Sequence, residues 1–211
     1  MAREQDGQQL TTSQIAVLQM RWLSAQGRAV IEDMLDDLRQ QGESWLSPTN
    51  HFAASSLARS GIPTITDSYV VDLRGINFDG HDLSGLDLCF MDLSHASFQR
   101  CMLARTCFQR SDLSFANFSH SFMPEADLLQ IHAHEAIFDH CVLEGAMMMA
   151  SDLTSSSFRH ANLQRVVMDN SNVTGCHFKT AKTRFASFAR VFKNDLQAQK
   201  KPGPMEPEPS L

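Results

Sequence analysis

Large apolar side chains return at every fifth residue from Leu73 to Phe188, giving twenty-four five-residue units. Within that run Phe78, Phe98, Phe118, Phe138, Phe158 and Phe178 stand twenty residues apart without a slip. Neither period is that of a helix or a plain strand, so the chain reads as stacked repeats, four units to a coil and about six coils. With the large residue taken as position i, only Ala133 and Thr183 are weak centres. Position i−2 is mostly small, as in Ala96, Cys101, Thr106, Ser111, Ala116 and Ser121. Position i−1 is often Asp or Asn, and all five glycines of the region (Gly75, Gly80, Gly85, Gly145, Gly175) fall at i+2.

This pattern predicts a shape. Side chains two apart on extended chain point the same way, so the large and the small residue face inward together. The large one fills the axis, and the small one lets the wall close around it. A corner at i+2, where glycine tolerates positive φ, turns the chain every five residues into a square coil. Coils about 4.8 Å apart then stack over roughly 29 Å, with the six Phe rings in one offset column.

The ANF at 116–118, the ANL at 161–163, and Phe98 with Ala96 resemble the A(D/N)LXX unit of pentapeptide-repeat proteins. The resemblance covers Val71 to Arg190, 120 of 211 residues. It implies a mainly β fold, a right-handed quadrilateral parallel β-helix. It does not imply an activity, because fold does not fix function.

Residues 1–65 are expected to form a helical N-terminal cap or interaction region, 66–190 the β-helix, and 191–211 a short helix with a disordered Pro-rich tail. Thr12 or Ser13 would cap a first helix carrying Ile15, Leu18, Trp22 and Ala25 on one face, with Gly27 marking its end. Arg28 to Gln41 places Val30, Ile31, Met34, Leu35 and Leu38 at helical spacing. Trp45 to Pro48 reads as a turn, Thr49 or Asn50 to Gly61 as a short third helix, and Arg190 to Gln199 as a last one. Open coil ends expose strand edges and bare core, so solenoids need caps. The first coil is bulky where others are small (Val71, Ile76, His81, Leu86, Met91), so the N-terminal helices are expected to pack there.

A hydrophobic content of 43% suits a buried core, while a net charge of −6 argues against direct nucleic-acid binding. No apolar run is long enough for a membrane span. MAREQDGQQL lacks the apolar core of a secretory signal, so a cytoplasmic location is expected, with translocation as an effector the alternative. The five cysteines are expected to be free thiols in a reducing compartment. Cys101, Cys141 and Cys176 sit in the inward small column, and Cys101 and Cys141, two coils or about 9–10 Å apart, exceed disulfide reach.

Folding the units four to a coil sorts the outward residues into rows. On the Leu73 face, position i−1 reads Asp72, Asp92, Asp112, His132, Asp152, Asn172. The resemblance gives that row a role, since acidic rows of quinolone-resistance pentapeptide proteins imitate DNA phosphates at a type II topoisomerase. Residues 71–190 carry 13 acidic and 10 basic side chains, however, and Arg100, Arg105 and Arg110 are expected to form a basic patch. A DNA mimic should be more one-sided. On the Leu83 face the same position reads Asp82, Met102, Phe122, Val142, Asn162, Lys182. The adjoining face adds Leu129, Met147, Met149 and Val167, so an apolar tract is expected where solvent should be, marking an interface or a covered surface.

Eight of nine histidines lie in the repeats, and His120, His140 and His160 share the i+2 column of the Phe face. Outward side chains on a flat wall converge poorly, so no metal site is assigned to them. No phosphate loop, G-x-S-x-G elbow, H-E-x-x-H or dinucleotide fingerprint is present, so no catalytic residue and no cofactor is expected. The sequence thus predicts a non-enzymatic module presenting a rigid surface to a protein partner, with a homodimer as one form of that contact. The alternatives are a DNA-mimic protector of a type II topoisomerase, and a secretion-associated adaptor or translocated bacterial effector.

Overall fold

A computed structural model describes residues 10–40 and 71–192 of the chain. Helices α1 (Thr12–Leu23) and α2 (Ala25–Gln40) precede the repeats. The residue that starts α1 is Thr11 rather than Thr12 or Ser13. Its hydroxyl accepts the Gln14 N–H at 3.3 Å, and Gln14 Oε1 accepts the Thr11 N–H at 2.8 Å, a reciprocal capping box. Gly27 does not end α1. Ser24, extended at φ −65° and ψ 159°, breaks the helix and starts the next one. Its hydroxyl accepts the Gly27 N–H at 2.9 Å and its carbonyl the Arg28 N–H at 3.0 Å. Serine supplies acceptors that a new helix needs, so Gly27 lies inside the first turn of α2. The expected turn at Trp45–Pro48, the helix ending at Gly61 and the tail after Phe192 lie outside the described residues.

From residue 71 onward every parallel pairing joins residues twenty apart. Strand β1 (Val71–Asp72) pairs with β2 (Met91–Asp92), and single bridges continue from Asn77↔Ser97 to Asn172↔Phe192. Three bonds per unit tie each coil to its neighbour, as where Leu93 N–H donates to Asp112 O at 2.8 Å, His95 N–H to Ser114 O at 2.9 Å and Asp112 N–H to Met91 O at 2.9 Å. A fourth closes the corner, as from Ala96 N–H to Leu93 O at 3.1 Å. Every i+2 residue from Gly75 to Arg190 has φ between 53° and 75°, the sign that the third residue of a type II turn adopts. Nineteen of these are not glycine, so the surrounding ladder, and not residue preference, imposes the corner. The pattern runs on past the expected boundary. Arg190 takes a corner φ of 55° and Phe192 N–H donates to Ser171 O at 3.0 Å, so residues 190–192 complete a coil instead of starting a helix.

The Phe column stacks along the axis, with successive ring centroids 5.3, 4.7, 5.0, 4.9 and 5.2 Å apart from Phe78 to Phe178. Phe108 packs edge-on against Phe98 and Phe118. The buried hydroxyls and thiols of the small column donate to carbonyls of the coil below. Thr106 Oγ1 reaches Leu83 O at 2.8 Å, and Cys141 Sγ reaches Phe118 O at 2.8 Å. Four serines also bridge a corner of that lower coil. Met91 N–H donates to Ser111 Oγ at 3.0 Å, and that hydroxyl donates to Leu88 O at 2.6 Å. Ser121, Ser151 and Ser171 do the same at Phe98–Cys101, Leu128–Ile131 and Met148–Ser151. Burying these polar groups is tolerated because each finds a partner.

At the first coil, Trp22, Ile31 and Leu35 belong to the same buried cluster as Leu73, Ile76 and Leu86. Trp22 Nε1–H donates to Arg74 O at 2.9 Å. The approach is closest at Gly75, where an added Cβ would lie 3.1 Å from Gln19 N and 3.2 Å from Leu18.

Candidate functional site

The i−1 carboxylates have a structural task. Ser94 N–H donates to Asp92 Oδ1 at 3.1 Å, Ser114 N–H to Asp112 at 2.9 Å, Thr154 N–H to Asp152 at 3.1 Å, and Thr174 N–H to Asn172 at 3.1 Å. This is an Asx turn, in which a short side chain accepts from the backbone two residues on. The row Asp72–Asp92–Asp112–Asp152 is brought into one line, with His132 bridged between Asp112 and Asp152. One oxygen of each carboxylate is already engaged. Asp72 is buried as well, clasped by Arg74 Nε at 3.0 Å and Nη2 at 2.9 Å. Burial raises the Asp92 carboxyl above its ordinary value, and the charge of Asp112 adds to that.

Where serine replaces Asp or Asn at i−1, a carboxylate from the coil below takes over. Asp79 Oδ1 accepts from Ser97 Oγ and from Gln99 N–H at 2.9 Å. Asp139 does so for Ser157 and Arg159, and Asp169 for Ser187 and Ala189.

The apolar column departs from that rule. Met102 bridges to Phe122 and Phe122 to Val142 on successive coils, with Met102 and Phe122 exposed at 44% and 41%. On the adjoining face Met147 bridges to Val167 and is 40% exposed, while Leu129, Val142, Met149 and Val167 are half-buried. Ile137, also exposed, stands one face away, alone in a column of Asn117 and Ser157, where no run of apolar residues signalled it. The expected basic patch does not form. Arg100, Arg105 and Arg110 occupy three successive corners of one coil, so they point in different directions around the wall. Arg105 pairs with Glu125 at 2.9 Å across an open groove of about 360 Å³ that Ser84, Gly85, Ala104 and Pro124 also line, and Arg110 Nε donates to Gln130 at 2.7 Å.

The Pentapeptide repeats family matches in eight copies over residues 72–110, 111–148 and 148–182, more than half of the 211-residue chain. The chain is a pentapeptide-repeat protein. The family implies a right-handed β-helix. Among solved structures the chain is similar to Rfr23, a pentapeptide repeat protein from the cyanobacterium Cyanothece 51142, at 15% identity over 59% of this chain and 91% of that one (TM-score 0.24). It is similar to QnrB1, a plasmid-mediated fluoroquinolone resistance protein, at 15% identity over 60% and 91% (TM-score 0.32). It is also similar to HetL, a pentapeptide repeat protein involved in heterocyst differentiation regulation from Nostoc sp. strain PCC 7120, at 14% identity over 65% and 93% (TM-score 0.19). A search of the curated proteins finds no match. Among the described residues no helix is long and apolar enough to cross a membrane.

A histidine stack and an outward cysteine pair add to the surface of this pentapeptide-repeat protein. His120, His140 and His160 stack ring on ring at 4.7 and 4.8 Å, and the Thr180 hydroxyl lies 2.6 Å from His160 Nδ1. The cysteines differ from expectation. Cys101, Cys141 and Cys176 are free, and burial pushes their thiols up to about 12. Cys89 and Cys107 are joined in a disulfide with Cα atoms 5.7 Å apart. Both point outward, at i+1 of one coil and i−1 of the next, and an inspection of inward columns alone passes over them.

Proposed function

We propose that this pentapeptide-repeat protein is a non-enzymatic scaffold, a four-sided coil whose apolar tract docks a protein partner, with α1 and α2 closing its first turn. One observation carries the reading. On three successive coils Met102, Phe122 and Val142 stand where the repeat often places a turn-capping Asp or Asn, and two of them are exposed. Exposed apolar side chains in contiguous rows mark contact surfaces. The interlocked backbone holds those rows in fixed register, so a partner meets a preorganised surface. The acidic row supports the topoisomerase alternative less strongly, because its carboxylates cap their own turns.

The test compares wild type with Phe122→Asp combined with Met149→Asp, by affinity capture and by sedimentation. A discrete partner should be retained by wild type and by Asp112→Asn, and lost from the double variant. A fall in mass of the double variant identifies the partner as a second copy of the chain. Capture and mass unchanged by the double variant overturn the reading. Inhibition of gyrase supercoiling by wild type that vanishes in Asp92→Lys with Asp112→Lys would move the site to the acidic row.

A further inference from the structure

We propose that Asp87, Cys89 and Cys107 form a redox-gated site for a thiophilic divalent cation of the zinc class. The three residues come together from two coils of the Leu88 face. Cys107 bridges directly to Asp87 below it and to Asp127 above it. Cys89 lies beside Asp87, two residues on. One ligand atom from each of Asp87, Cys89 and Cys107 lies within 4.8 Å of the others, and all three side chains are half-buried. A tetrahedral ion with Zn–S bonds near 2.3 Å holds two thiolates about 3.8 Å apart. The 5.7 Å Cα separation that now serves the disulfide is therefore short enough to place both sulfurs on one ion.

The surroundings favour a cation. Cys89 N–H donates to Asp87 Oδ1 at 2.8 Å, which orients the carboxylate and leaves its second oxygen for the metal. Asp127, bridged to Cys107 on the next coil, places a second carboxylate nearby. A dication is favoured beside these negative groups, and water completes the tetrahedron. The other three cysteines do not compete. They face inward and donate to carbonyls, as Cys101 Sγ does to Phe78 O at 2.9 Å and Cys176 Sγ to Leu153 O at 2.9 Å.

The gate is the Cys89–Cys107 bond. A dithiol reductant supplies two electrons and two protons, leaving as its own disulfide while two thiols form on the protein. Metal binding then expels both thiol protons to solvent. Either state links the first coil to the second, through a disulfide when oxidised and through the ion when reduced.

Cobalt(II) is the probe. Full-length protein, reduced with a phosphine and freed of it without air, should take up one equivalent, showing a thiolate-to-cobalt charge-transfer band and the visible bands of a tetrahedral ion. Zinc should bleach both. Oxidised protein should show neither, and Cys89→Ser or Cys107→Ser should abolish the charge-transfer band. Serine occupies equivalent outward positions at Ser94 and Ser187, so these variants keep the fold, and matched unfolding curves verify it. Asp87→Asn, which still caps its turn, should weaken cobalt binding about tenfold or more. Reduced wild type without a thiolate band overturns the proposal. So does equal uptake by the two serine variants, which would assign the ion to the His120–His140–His160 stack.

Discussion

Alanine at Gly75 and at Gly80 separates the conformational role of a corner from the packing of α1 on the first coil. The two positions share φ near +70° and +75°, so each alanine takes on the same left-handed penalty of about 1–2 kcal/mol. Their surroundings differ. A Cβ at Gly80 meets nothing within 4 Å, whereas one at Gly75 meets Gln19 N at 3.1 Å and Leu18 at 3.2 Å. Those are mostly backbone atoms of a helix and cannot swing aside, so overpacking adds about 1–3 kcal/mol at Gly75 alone. The clash also presses against the bond from Trp22 Nε1–H to the adjacent Arg74 carbonyl, worth about 1 kcal/mol. In urea, Gly75→Ala should therefore lose more stability than Gly80→Ala, and its tryptophan emission should shift before backbone circular dichroism does. Placing both alanines in a Trp22→Ala background should shrink the gap, since contacts in one network are not additive. Equal losses in the wild-type background would refute the seating of α1 on Gly75.

Four other outcomes follow from the coils. Ser111→Ala strands Met91 N–H and Leu88 O together and should cost about 1–3 kcal/mol, against almost nothing for Ser114→Ala on the outer wall, read by denaturant midpoints. Phe118→Ala, in the middle of the stack, should cost about 3–5 kcal/mol by the same measure. Asp92 has a raised folded pKa, so its protonated form is favoured by folding; that contribution is complete below about pH 4 and is lost as pH rises through the raised value. Asp92→Asn should accordingly match wild type in acid and exceed it at neutral pH, while convergence at neutral pH would contradict the burial argument. Native protein treated with an alkylating agent after reduction should be labelled at Cys89 and Cys107, with Cys101 and Cys141 reacting only on unfolding.

The Phe column was legible in sequence because its spacing equals the pairing interval, so a one-dimensional repeat maps directly onto a three-dimensional stack. Corner glycines were legible for the same reason, though Ala150 and Phe115 hold the same φ without glycine's freedom. What escaped were diagonal relations. Cys89 and Cys107 are 18 residues apart, twenty less the two that separate i+1 from i−1, and Asp79 reaches Ser97 across the same interval. A search at eighteen as well as twenty would have found the disulfide and the three carboxylate substitutions at Ser97, Ser157 and Ser187. Ser24 was hidden for another reason. It ends one helix and begins the next, so the break carries no glycine or proline, and the one nearby glycine misled.

The capping rule also bears on what the apolar column is for. At its two ends Asp82 and Asn162 accept from Ser84 N–H at 3.0 Å and Gln164 N–H at 3.2 Å, as the repeat prescribes. Met102 and Val142 cannot accept such a bond, so Ala104 and Glu144 forgo the cap their neighbours have. At Phe122 the following position is Pro124, which has no N–H to cap, so the loss there is nil. The apolar surface of Met102 and Phe122 that stays in water does not disfavour folding, since the unfolded chain exposes more of it, but covering it would contribute about 25 cal/mol per Å². The forgone caps alone disfavour the folded chain. Under the proposed function, a contact that covers Met102 and Phe122 would offset them. Met102→Asp should therefore stabilise the isolated protein by restoring the cap while weakening capture of its partner, and a variant that loses on both counts would show that this column serves the fold alone.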